Sequence, residues 1–451
     1  MIARAAHPGF PPGSPVGESR PRPAARSLVA GRGCFTDDII LPRLAQVFFL
    51  RSPLPHARLR SIDIGAAAMQ PGVIRIVTGA DIAAICTPLH TQLAQLPQHK
   101  TRAQAPLTGD EVAWQGEPIA AVVAATLAEA EDAAELIEVE WQACDAAVGA
   151  AAALQPDAPA VHSDLAGNLA FAARFGSGNV EAGFAAAAAT ATQNFSFGRL
   201  AGVSLEPRSI IADYNPAEGE LTIYQSHQSP HLMQAIYARH LGLPEHKVRV
   251  IVRNVGGAFG TKLHAYGDEM AVAAIAVLLG RPVKFICNRL EAFQSDAQAR
   301  EGEVTGRIAV DAEGRILAID AEVLTGVGAQ AIYPRSALGE GIQAATMLGA
   351  PYDIPALRSS LRVAYQNKVP AGAFRGIGQP LACTVTEQLV DLAAAALAID
   401  PVELRRRNYL RPEQLPRTTA GGLQLAALSL GPCLDRLVAL MDYDRLRREQ
   451  Q

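Results

Sequence analysis

Apolar residues recur along this chain with two spacings, and each predicts its own kind of element. Alternation, or a short apolar run bounded by Pro and Gly, predicts strands at Ala45–Arg51, Arg58–Ile64, Val73–Thr78, Pro118–Ala125, Ile137–Trp141, Thr192–Phe197 and Val283–Cys287. In Lys247–Arg253, Val248, Val250 and Val252 share one face of a further strand. Two hairpins follow from the same pattern, Ser209–Gln225 around Asn215–Gly219, and Glu303–Val310 with Ile316–Leu324 around Ala312–Arg315. The longer spacing predicts helices at Leu127–Leu136, Val180–Ala189, His231–Leu241, Glu269–Leu279, Leu381–Ala398, Pro401–Asn408 and Leu434–Gln450. Gly280 can stop one of these by taking a positive φ, and Pro380 suits the first turn of another. Residues 88–104 are polar and patternless, which reads as a loop, and no repeat has a solenoid period.

Strands mixed with helices in this order predict an α+β protein. Its 451 residues exceed what one core usually serves, and 49% apolar residues supply more than one. We expect a mobile arm over 1–30, Pro-, Arg- and Gly-rich across 7–25, and a first domain over 31–143. Composition then falls to Ala, Gly, Pro and Asp, which predicts a linker over 144–165 before a second domain over 166–410 and a tail over 411–451.

Charge and cysteine content narrow the chemistry. The net charge of −4 is dispersed and the basic clusters are as short as Arg405–Arg407, a solvated helix end, so no nucleic-acid partner is expected. Six cysteines without a CxxC spacing encode neither an iron–sulfur cluster nor a zinc site, no metal-ligating set stands out, and a reducing, cytoplasmic setting is expected. The N-terminus lacks a charged-then-apolar signal, and no apolar run reaches the roughly 18–20 residues of a membrane span.

Candidate chemistry sits in two glycine-framed stretches. In NVGGAFG, Gly256, Gly257 and Gly260 stand between the strand Lys247–Arg253 and the helix Glu269–Leu279, a strand, turn and helix start that can cradle an anion with backbone amides. Alone, such a turn is as often plain connection. The second stretch, AFRGIGQP at Ala373–Pro380, presents Arg375 between small residues, suited to a planar or phosphate acceptor. Together they suggest one large anionic ligand.

With these stretches, GRGCFTDDI, RSPLPHARLRSIDI, PGVIRIVTGADI and WQGEPIAAVVA in the first domain, and LEPR, HQSPH, GRPVKF and RRRNYL in the second, the sequence resembles the molybdopterin-binding large subunit of the xanthine dehydrogenase/aldehyde oxidase family of molybdenum hydroxylases. The resemblance implies an a/b hammerhead domain over the first part and the family's first molybdopterin-binding domain over the second. It also implies a molybdenum cofactor, expected as molybdopterin cytosine dinucleotide, held without a protein metal ligand. Gln228 matches the glutamine that hydrogen-bonds an oxo ligand. Gly256, Gly257, Phe259 and Gly260 match one cofactor turn, and Ala373, Phe374, Arg375 and Gly376 match the other, with Arg375 near pterin and metal. Leu263, Gln343 and Ile377 fall where purine-oxidising members carry an acidic, an arginine and an aromatic contact. Their replacement disfavours xanthine, and the absence of a cysteine-bearing loop beside Arg375 disfavours carbon monoxide. An aldehyde or an N-heteroaromatic substrate remains.

The pattern departs from the family after residue 410, where members continue into a second molybdopterin-binding domain that supplies the general-base glutamate. Glu340 reads as a loop carboxylate in solvent rather than a replacement. We therefore expect either a subunit split between two genes, with the base on a second molybdopterin-binding subunit, or a truncated remnant. Iron–sulfur ([2Fe-2S]) and FAD subunits would take the electrons, since this chain encodes neither centre. A different class of reading makes the chain a non-catalytic scaffold or cofactor-insertion partner.

Overall fold

The computed structural model describes Pro15 and residues 18–450. Most of the arm expected over 1–30 lies outside those residues, and its described part carries a short helix, Ala25–Val29. The rest is α+β, built on two sheets.

The first sheet has seven strands, in the order Val248–Ile251, Glu220–Gln225, Ser209–Asn215, Val283–Ile286, Ala45–Arg51, Pro118–Ala124 and Val73–Thr78. It crosses the expected domain border, because Ala45 and Gln46 pair in parallel with Val283 and Lys284. Pro118–Ala124 is buried at every position, as a continuous apolar run requires when both faces of a strand are covered. The helices Pro230–Leu241 and Gly267–Leu279 cover the sheet, the second of them buried from Gly267 to Ala276 and stopped by Gly280 at φ 58°. The second sheet orders Leu169–Ser177, Ala356–Tyr365, Ile316–Gly328, Gly302–Val310 and Ala189–Phe197, with the helices Leu338–Thr346 and Gln379–Ala396 packed on it.

Several expectations change. The helix expected over Val180–Ala189 ends at Ala185, because Ala189 already pairs with Val310 as the start of a strand. Residues 144–165 are packed rather than loose: Ala147, Ala150, Ala153 and Val161 are buried, and the Asn367 and Asn168 side chains accept the Ala147 and Val161 N–H groups at 2.9 Å. The single helix expected over Leu434–Gln450 is two, Leu430–Met441 and Tyr443–Gln450, broken where Asp442 takes φ 48°. Among the described residues no single helix is long and apolar enough to cross a membrane; the bent pair Gln379–Ala396 and Pro401–Asn408 that meets the composition turns through 114°.

One buried ion cluster ties both halves of the seven-stranded sheet together. Arg208, 1% exposed, donates to both carboxylate oxygens of Asp268 at 2.7 and 2.9 Å and to Asp296 at 2.6 Å, with its guanidinium 3.8 Å over the Tyr266 ring. Arg51, at the end of the first-domain strand, reaches the same Asp268 at 3.0 Å and Glu291 at 3.1 Å. Burial works to raise the Asp268 pKa, but the two guanidinium groups hold it well below the usual carboxylate range. A buried charge without its partner is expensive, so Arg208→Met should lower the unfolding free energy by about 3–5 kcal/mol, read from urea midpoints. A loss below about 1 kcal/mol would show that the cluster tolerates an uncompensated carboxylate.

Candidate functional site

The two glycine-framed turns, more than one hundred residues apart in sequence, meet through the backbone. The Arg375 N–H donates to the Phe259 carbonyl at 2.9 Å. Gly260 makes the approach possible: at φ 105° a Cβ there would lie 2.5 Å from the Ala373 carbonyl oxygen. Gln228 joins from the loop before the helix Pro230–Leu241. Its Oε1 accepts the Gly260 N–H and its own N–H donates to the Lys262 carbonyl, both at 2.9 Å. With that oxygen engaged, the side-chain NH2 is left as donor for an incoming acceptor.

Counting donors shows what the first turn offers. The Gly256 N–H is taken by Glu206 Oε2 at 2.7 Å, while the Gly257, Ala258 and Phe259 N–H groups have no protein acceptor among the described residues. Three successive free amides, the Gln228 NH2 and the exposed Arg375 fit an anionic, oxygen-rich cofactor such as a pterin phosphate. The helix start contributes differently from expectation. Thr261–Leu263 and three further residues intervene before Gly267–Leu279, whose first turn is buried and filled by Asp268 and Glu269. Its dipole is spent on its own carboxylates, so the cradle is made of turn amides alone. Among the described residues no group of three His, Cys, Asp or Glu could hold a metal.

Strain marks the same place. Of the eight non-glycine residues with positive φ among those described, Val203 (31°), Phe259 (53°), Arg300 (72°) and Ile377 (52°) surround the two turns. For β-branched Val and Ile this backbone is unfavourable by roughly 1–3 kcal/mol and persists only where neighbours enforce it.

Residues the sequence reading passed over do the enforcing. Lys262, buried, donates to the Glu206 carbonyl at 2.7 Å, Ser226 Oγ at 2.8 Å and Glu206 Oε2 at 3.2 Å, tying LEPR to the turn. His264 Nε2 accepts the Ala373 N–H at 2.8 Å, and His227 Nε2 lies 3.2 Å from the His264 carbonyl, so two histidines link Gln228 to the second turn. The signal available was position: His227 sits inside HQSPH, and Lys262 and His264 follow NVGGAFG within four residues, but hydrogen bonds between motifs are invisible to spacing.

Of the three residues expected at the substrate, Gln343 and Ile377 are brought together, with Gln343 Oε1 accepting the Gly378 N–H at 3.3 Å. Leu263 stands half-buried on the short helix after the first turn. Glu340 is corrected: it lies in the first turn of the helix Leu338–Thr346, is buried, and is pushed up to about 7 by that burial. The segment Leu200–Glu206 passes both turns, a Cβ on Gly202 meeting Thr261 and the Phe374 ring. It exposes Leu200, Val203 and Leu205, the last 93% accessible, beside an exposed Phe259.

The pattern of the molybdopterin cofactor-binding domain matches residues 161–409, and that of the aldehyde oxidase and xanthine dehydrogenase a/b hammerhead domain matches residues 30–145. The chain is 31% identical over 450 residues to the carbon monoxide dehydrogenase large chain of Hydrogenophaga pseudoflava, covering 96% of this chain and 55% of that one, so it spans about half that relative's length. It is 28% identical to the nicotinate dehydrogenase large molybdopterin subunit of Eubacterium barkeri, covering 96% of this chain and 98% of that subunit. The fold superimposes on quinoline 2-oxidoreductase of Pseudomonas putida 86 with a TM-score of 0.93 at 32% identity, over 96% of this chain and 55% of that one.

Two measurements check this geometry. Gly260→Ala should destabilise by about 1–3 kcal/mol in urea, whereas Gly219→Ala, whose Cβ would meet nothing within 4 Å, should stay near 1 kcal/mol; equal losses would mean the turns do not depend on that approach. The second concerns pH. Burial, with His227 and Arg335 nearby, pushes the His264 imidazole down to about 3. An unfolded histidine titrates near 6.5, so the stability held by neutral His264 is complete above that pH and is lost as pH falls toward 3. The gap in unfolding free energy between wild type and His264→Gln should shrink by roughly 2 kcal/mol between pH 6.5 and 5, and a constant gap would refute a buried neutral ring.

Proposed function

The chain belongs to the aldehyde oxidase and xanthine dehydrogenase family of molybdopterin-binding oxidoreductase subunits, and from that premise we propose that its paired turns are its share of a molybdenum hydroxylase centre acting on an aldehyde or an N-heteroaromatic compound. The observation that supports this is the junction itself, where Gln228, Gly260, Phe259 and Arg375 are hydrogen-bonded into one surface.

In this reading the Gly257, Ala258 and Phe259 amides hold the pterin and its phosphates, framed by Gly256 and Gly260 and joined by Ala373–Gly376. Gln228 donates its NH2 to an oxygen of the group, and Arg375 supplies fixed positive charge where negative charge gathers. When bound, the molybdenum–pterin group, expected as the cytosine dinucleotide, supplies a two-electron oxidation with water as the oxygen source. Leu263, Gln343 and Ile377 offer an uncharged wall, which suits a neutral ring or aldehyde better than a purine needing charged contacts.

The general-base glutamate is assigned to a second molybdopterin-binding part, which would also cover the apolar rim of Leu200, Val203, Leu205 and Phe259. Electrons would pass to [2Fe-2S] and FAD subunits.

Co-expression with neighbouring genes, followed by metal analysis and turnover of aldehydes and N-heterocycles, tests the reading. We expect molybdenum and pterin in the assembled complex, hydroxylation of one substrate class, and a roughly 10²–10³-fold loss of kcat in Arg375→Ala. A complex that carries full molybdenum and oxidises nothing would instead identify a scaffold.

A further inference from the structure

Arg300 sits between the strands Gln298–Ala299 and Gly302–Val310. Its guanidinium donates to the carbonyl oxygens of both Arg375 and Ile377 and rests 5.3 Å over the Phe374 ring. Its backbone N–H donates to Glu340 Oε1 at 2.9 Å, on the helix Leu338–Thr346. From the same helix Gln343 accepts the Gly378 N–H, and the Glu340 backbone carbonyl occupies the space a Cβ on Gly378 would need.

The polar groups of the second turn can now be accounted for one by one. The Arg375 N–H goes to Phe259, the Ile377 N–H to the Phe374 carbonyl at 2.7 Å, the Gly378 N–H to Gln343, and the Arg375 and Ile377 carbonyls to Arg300. The Phe374 and Gly376 N–H groups have no protein acceptor among the described residues, and Gly376 is the one beside the exposed Arg375. The positive φ of Ile377 is held from both sides, by the Arg300 guanidinium on its carbonyl and by Gln343 on the next N–H.

We propose that Arg300 and Glu340 are positioning residues that lock Phe374–Gly378, fixing the free Gly376 amide for the cofactor and the Ile377 side chain for the substrate; this rests on the functional reading above. Arg300 can do this because a planar guanidinium holds two acceptors with two nitrogens in a fixed fork, a geometry the single nitrogen of an ammonium does not reproduce. Glu340 suits the task because its carboxyl is buried and its Oε2 has no partner among the described residues, so its interaction with Arg300 is not shared with solvent. Arg199, Glu301 and Lys368 stand behind this pair, Glu301 binding both cations, while Glu340 meets Arg300 through the backbone N–H and leaves its guanidinium to the two carbonyls.

The lock is tested by amide hydrogen exchange on the 451-residue chain. In Arg300→Lys, protection in the segment 374–378 should fall roughly tenfold to a hundredfold, the loss of charge-assisted bonds, while the strand Pro118–Ala124 keeps its protection. Glu340→Ala should do the same, and Glu340→Gln, which keeps an acceptor for the Arg300 N–H, should restore protection to within about threefold. Unchanged exchange in Arg300→Lys, a loss spread evenly over the sheet, or failure of Glu340→Gln to rescue would each overturn the proposal. Because the readout needs no cofactor, a local loss in a chain whose co-expressed complex never acquires molybdenum would defeat the functional reading and leave the lock standing.

Discussion

A fully buried arginine cannot be left unpaired, and in this chain that constraint organises the rest. Arg208 pulls Asp268 and Asp296 to itself, and Asp268 also binds Arg51 from the other half of the sheet. Three segments far apart in sequence are thereby fixed at one point: the start of a central strand, the buried start of the helix Gly267–Leu279, and the end of a first-domain strand. Two residues before Arg208, Glu206 projects from the same stretch to hold the Gly256 amide and Lys262. The stretch that anchors the charge cluster therefore also holds the first glycine turn.

From that anchor the site is built by exhausting hydrogen-bonding options. Much of the backbone of the two turns is paired inside the protein, and among the described residues the N–H groups of Gly257, Ala258, Phe259, Phe374 and Gly376 are left without an acceptor. Three successive unpaired amides at Gly257, Ala258 and Phe259 form the concavity that an anion would fill, which makes this turn the candidate binding surface. Positive φ at Phe259 and Ile377 is the conformational expense of that arrangement, and buried neighbours sustain it. Rigidity matters because a donor misplaced by an ångström loses most of its effect on a reacting group.

The surface beyond the turns is of another kind. Leu200, Val203, Leu205 and Phe259 expose apolar area beside polar donors, an edge that suits coverage by protein rather than water. A hard, polar floor and an apolar rim are what a cofactor enclosed between two protein parts would need.

Local pattern by itself determined the element types of most strands and helices, the two glycine turns, and, through shared motifs, the family. Period and turn chemistry are properties of neighbours along the chain, so they are legible there. The strands Leu169–Ser177 and Ala356–Tyr365 and the helix Leu338–Thr346 were decided by packing, since charged Arg358 and Arg362 interrupt an apolar run whose inward half only the sheet reveals. Tertiary structure alone decided that Glu340 is buried, that the linker is packed, that the helix start is closed to an anion, and that Arg300 holds the second turn. Each depends on which distant group lies within about 3 Å, a distance that sequence order does not carry.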